Sequence, residues 1–75
     1  MEIHHLVKMA NEIGVFFEQI PDHNEAVTSI AAHLKNFWEP RMRREIIAYA
    51  RLGEGELKPI VREAILTLEA NGKPV

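Results

Sequence analysis

A chain of 75 residues with 47% hydrophobic residues has the composition of a folded domain and room for one core, not two. It holds no cysteine, which excludes disulfides, thiolate zinc sites, cysteine-ligated iron–sulfur clusters and a cysteine nucleophile. The formal net charge of −2 is too small to imply a polyanionic partner, and it is unevenly spread: residues 1–40 carry two lysines against six acids, residues 41–75 seven basic groups against five acids.

A core of this size gives marginal stability without a staple or a partner. Met1-Glu2-Ile3-His4-His5 lacks the basic and apolar regions of a signal peptide. No apolar run approaches the ~20 residues of a membrane span. The expectation is a soluble cytoplasmic protein that forms a single domain over 1–75.

The first predicted helix runs from about Ile3 to Ile20. Ile3, Leu6, Val7, Ala10, Ile13, Gly14 and Phe17 share one helical face. A second apolar row, Met9, Ile13, Phe16 and Ile20, lies beside it. The combined stripe is wider than one packing contact needs. It fits a helix buried on two sides, or one with its outer row on a partner. Gly14 costs a helix interior about 1 kcal/mol relative to Ala, so it is either tolerated or answers a close approach by another element.

Pro21 ends this helix. Asp22 suits the N-cap of the next, with Glu25 three residues on in a capping-box arrangement. Ala26, Val27, Ile30, Ala31, Leu34, Phe37 and Trp38 then form one stripe. Pro40 disfavours the α conformation at Glu39 and suits the first turn of a third helix, about Pro40 to Leu52. Its apolar positions are Met42, Ile46, Tyr49 and Ala50, with Ile47 on a flank. Gly53 can take the left-handed conformation that stops it. A fourth helix is predicted from about Leu57 to Ala70, with Leu57, Ile60, Val61, Ala64, Ile65 and Leu68 on one face. Asn71-Gly72 would end it, leaving Lys73-Pro74-Val75 as a tail. The fold class is an all-α bundle of four helices.

No catalytic, cofactor-binding or metal site emerges. His4 and His5 point about 100° apart on a helix and cannot ligate from one face. His23 and His33 belong to no ligand motif. Carboxylates form no acid–base dyad, and Ser29, the only serine, lacks a nucleophile-elbow context. What remains is binding. Phe37, Trp38, Glu39, Pro40, Arg41, Met42, Arg43 and Arg44 place the residue types of interface hot spots within one bend. With Met9 and Phe16 from the first helix they make the candidate partner-binding set. The competing reading is that Phe37 and Trp38 fill the core while the arginines are solvated or cap carboxylates. Accordingly Trp38→Ala either unfolds the protein or spares the fold and cuts complex formation, while Arg41→Ala and Arg43→Ala leave folding nearly unchanged. A small helical nucleic-acid-binding regulator is the alternative, resting on short helices and the arginines; the net charge and the lack of a long basic face oppose it.

His5-Leu6-Val7-Lys8-Met9-Ala10-Asn11-Glu12-Ile13-Gly14, Phe16-Phe17, Pro21-Asp22, Ile30-Ala31-Ala32-His33-Leu34 and Phe37-Trp38-Glu39-Pro40-Arg41-Met42-Arg43 together resemble the delta subunit of NAD-dependent formate dehydrogenases. The resemblance is strong over residues 5 to 44. Beyond them it is one of kind, including a glycine-containing turn before Pro59-Ile60-Val61. It implies an accessory subunit of a cytoplasmic molybdenum- or tungsten-dependent complex that oxidises formate and reduces NAD. The catalytic subunit of formate dehydrogenase would be its partner. In that family the delta subunit carries no cofactor and supports assembly, cofactor insertion or stability. The charge balance and the lack of a membrane-length apolar run lead to the expectation of neither a nucleic-acid nor a membrane partner. Self-association of the isolated chain through its apolar surface is left open.

Overall fold

A computed structural model describes residues 2–53 and 55–71, with side chains to Leu68. The predicted stop at Gly72, the tail after it and Glu54 lie outside the described residues. Four helices are present among the described residues: α1 (Ile3–Phe17), α2 (His23–Phe37), α3 (Pro40–Arg51) and α4 (Pro59–Asn71). No strand accompanies them there, and the all-α bundle is as expected.

The helix boundaries follow from local chemistry. Asp22 is the N-cap of α2, and its Oδ2 accepts from the Glu25 N–H at 3.1 Å, satisfying one of the free donors of the first turn. Pro40 stands at the start of α3, after Glu39 in an extended conformation, as the steric demand of proline on its predecessor requires. Gly53, with φ +77°, follows the C-cap Leu52, so the left-handed stop is realised. Two boundaries differ from expectation. α1 ends at Phe17, not Ile20, because the chain must reverse before Pro21 and already does so through a Phe17 carbonyl that accepts from the Ile20 N–H. α4 begins at Pro59, not Leu57, because Lys58 donates its N–H to Asn11 Oδ1 on α1 at 2.9 Å. Its carbonyl then accepts the first intrahelical bond, from Arg62.

Asn11 grips this α3–α4 connection from both sides, since its Nδ2 also donates to the Glu56 carbonyl at 2.8 Å. The Tyr49 hydroxyl accepts from the Glu56 N–H at 3.0 Å. Three short contacts thus fix a segment that has no regular structure of its own.

One core serves all four helices. Leu6, Ile30, Leu34, Ile46, Val61 and Ile65 are fully enclosed. α2 packs on α4, α4 on α3, α3 on α1 and α1 on α2, while α1 and α4 also touch across the middle. That central contact depends on Gly14. A Cβ there would collide with Cγ2 of Val61 on α4. Gly14 is therefore a site of close approach, here by a side chain, and not a tolerated substitution for alanine.

Two arginines finish helices from inside the molecule. Arg62 Nε donates to the Ala50 carbonyl at the end of α3, at 3.0 Å. Arg43 Nη1 donates to the carbonyls of Lys35 and Trp38 at the end of α2. Cations at C-terminal carbonyls satisfy orphan acceptors and complement the helix dipole. Arg43 thus has a helix-end role that the expectation of nearly unchanged folding in Arg43→Ala did not include. We expect Arg43→Ala to lower stability by about 1 kcal/mol, the value of an ordinary net hydrogen bond, because the half-buried site loses the extra strength of a charged donor to solvent. A lower denaturation midpoint for Arg43→Ala than for Arg41→Ala checks this; equal midpoints would refute it.

Candidate docking surface

The bend between α2 and α3 splits the aromatic pair of the sequence. Phe37 is the last residue of α2 and is 72% exposed. Trp38 is the C-cap, has left helical geometry with φ −93° and ψ 142°, and is only 6% exposed within the core. Successive side chains step about 100° around the helix axis, which lets Trp38 face inward beside Leu34 while Phe37 faces out, and the extended backbone at Trp38 then turns the chain into α3.

On α1 the two apolar rows also divide. Phe17 packs against the core, whereas Phe16 is 68% exposed. Phe16 and Phe37, twenty-one positions apart in sequence, are joined through two further rings. Phe16 meets Phe17 edge-on with centroids 5.0 Å apart, Phe17 meets His33 at 6.0 Å, and His33 meets Phe37 at 4.8 Å. The result is a ridge of four rings along the α1–α2 seam, capped at both ends by an exposed phenylalanine. Offset and edge-on ring contacts stabilise such arrangements by about 0.5–1.5 kcal/mol each beyond area burial. The two exposed phenylalanines leave apolar surface facing solvent at both ends of this seam.

The other residues of the expected contact set fall in three places. Glu39, Pro40, Arg41 and Arg44 are exposed around the start of α3. Met9 and Met42 are half-buried and pack against the core. Arg43 is engaged with α2. Sequence reasoning did not place His33 in the surface, although its i, i+4 spacing to Phe37 was a usable signal. The Phe17–His33 contact is tertiary and had none.

Among the described residues, no three His, Cys, Asp or Glu side chains gather as a metal site. An open groove between α1 and residues 56–58 is lined by His4, Val7, Lys8, Asn11, Glu12, Val15, Glu56 and Lys58. Its charges are of both signs, and the amide of Asn11 is already taken by the α3–α4 connection. At the start of α1, a hydrogen bond from His4 holds the Glu2 carboxyl below the usual carboxylate range, in a pair too exposed to matter to the fold. Among the described residues, no helix is long and apolar enough to cross a membrane.

The family model of the NADH-dependent formate dehydrogenase delta subunit, FdsD, matches residues 5–65. No curated protein matches. No solved structure matches.

Proposed function

The chain belongs to the family of NADH-dependent formate dehydrogenase delta subunits, and from that premise we propose that it is a non-catalytic accessory subunit of a cytoplasmic formate dehydrogenase complex. It docks on the catalytic subunit and supports assembly, cofactor insertion or stability of the active enzyme. The observation that carries this reading is the ring ridge with its two exposed ends, Phe16 and Phe37. A small domain that keeps two phenylalanines in water while burying its tryptophan has apolar surface to give to a partner. A chain without cysteine cannot ligate an iron–sulfur cluster in the usual way, so in this reading the metal and flavin chemistry belongs to other subunits. The bend from Phe37 to Arg44 and the outer row of α1 through Phe16 form the contact, with Met9 and Trp38 behind it.

The test is to produce the formate dehydrogenase with and without this chain, and measure bound molybdenum or tungsten, pterin content and formate oxidation. Full metal and full activity in its absence would end the proposal. Stoichiometric co-purification with the active enzyme distinguishes a permanent subunit from a transient maturation factor. Phe16→Ala and Phe37→Ala are each expected to preserve the helical fold and to weaken binding to the catalytic subunit by about 10- to 30-fold, as for ordinary hot-spot residues. Unchanged affinity for both would remove the ridge as the dock.

A further inference from the structure

Besides Arg43 and Arg62, which bond to helix carbonyls, the chain has three more arginines, all on α3. Arg41, Arg44 and Arg51 fall at i, i+3 and i+10, in a row completed by Ala48 at i+7, and all four side chains are exposed. Ile46 and Ala50, buried, define the opposite face of the same helix. This face therefore points away from the core, presents arginine and alanine, and contains no acid. Among the described residues neither Arg41 nor Arg44 has a carboxylate partner. The charge is also segregated. α3 carries four arginines and one glutamate, a local +3, so the rest of a chain of net −2 sums to −5.

We infer that the outer face of α3, through Arg41 and Arg44, is an electrostatic steering surface for a carboxylate-rich patch on the protein partner. The inference rests on the docking proposed above and assigns a separate task to the arginines at the edge of that contact. The ring ridge supplies apolar contact that must be desolvated to act, and so governs how long the complex lasts. Exposed arginines on a rim contribute little to a formed interface but attract an oppositely charged surface from a distance of about one Debye length. Phe37 and Arg41 are four residues apart across the bend, which limits their separation to about 14 Å. A partner drawn to the arginine face thus arrives beside the ridge. An acidic patch on a protein is the occupant that fits, because two exposed arginines match a local cluster of carboxylates, whereas a nucleic-acid backbone runs on past them along a chain whose remainder sums to −5.

The experiment measures association and dissociation rates of the purified catalytic subunit with wild-type protein, the Arg41→Gln/Arg44→Gln double variant and Phe37→Ala, at low and at physiological salt. Both substituted positions are exposed, and unchanged helical circular dichroism verifies folding. The double variant is expected to associate about tenfold more slowly at low salt, to lose most of the salt dependence, and to dissociate at the wild-type rate. Phe37→Ala is expected to do the reverse, speeding dissociation with association nearly unchanged. A wild-type complex whose association rate ignores both arginines overturns the inference and leaves the docking proposal standing. Failure of the wild type to bind at all overturns the docking proposal and this one with it. Arginine-dependent retention of the free protein on DNA overturns it too, by giving the face to phosphate.

Discussion

Trp38→Ala is expected to unfold much of the isolated protein, with a loss of about 3–5 kcal/mol. The ring is the largest side chain in a core shared by all four helices, and it is 6% exposed. It sits at the one point where α2 ends and the chain turns into α3, with its own N–H bonded to the Leu34 carbonyl and its carbonyl held by Arg43. Truncation removes transferred apolar area and leaves a void at a junction that two helix ends brace, so collapse around it is limited. A domain of this size holds a net stability near the low end of about 5–15 kcal/mol, so the loss is a large share of the whole. Thermal or urea denaturation of purified protein, followed by circular dichroism, reads it directly. A midpoint equal to wild type would show that Trp38 is not a core residue. Its neighbour gives the internal comparison, because Phe37→Ala removes a ring that is 72% exposed and should barely move the midpoint.

Gly14→Val is expected to cost about 3 kcal/mol, and Gly14→Ala to destabilise despite improving helix propensity. Propensity alone predicts that alanine at this helix-interior position gains about 1 kcal/mol. Sterics predict the opposite sign. The added methyl would overlap Val61 Cγ2, and Val61 is fully buried on α4 with no free rotation into solvent. Relief requires α1 and α4 to separate, which loosens the central contact of the bundle, and overpacking of this kind typically costs about 1–3 kcal/mol or more. The second substitution Val61→Ala should partly rescue Gly14→Ala, giving a coupling energy between the two positions in a double-mutant cycle. If Gly14→Ala raised the denaturation midpoint, the close approach of these helices would be wrong.

Much of the fold was legible from residue order. The spacing of Leu6, Val7 and Ala10, of Ile30 and Leu34, and of Val61, Ala64 and Ile65 marks faces that are buried, since the helical period alone dictates which positions share a side. Asp22, Pro40 and Gly53 act through their own backbone and side-chain chemistry within a few residues, so capping and termination were also local questions. Of the two boundaries that moved, the one at Phe17 follows a local turn before Pro21, and the one at Pro59 follows a contact with Asn11 on α1. Asn11, to which the helical pattern gave no separate role, holds the α3–α4 connection through two hydrogen bonds across more than forty positions. A pattern of periods contains no signal for such a pair.

The candidate surface shows the same division. Sequence by itself determined four amphipathic helices, the absence of any thiol chemistry, and a bend crowded with aromatic and basic residues. It could not say which aromatic enters the core, because both lie on the apolar stripe of α2 and the choice depends on what the other helices pack against its end. The tertiary structure turned Trp38 inward and left Phe37 out. It joined Phe37 to Phe16 through Phe17 and His33, and it used Arg43 to hold a helix terminus while leaving Arg41 and Arg44 facing solvent. Adjacent residues of one chemical kind were given opposite tasks, for burial and capture depend on what the rest of the chain brings within a few ångströms.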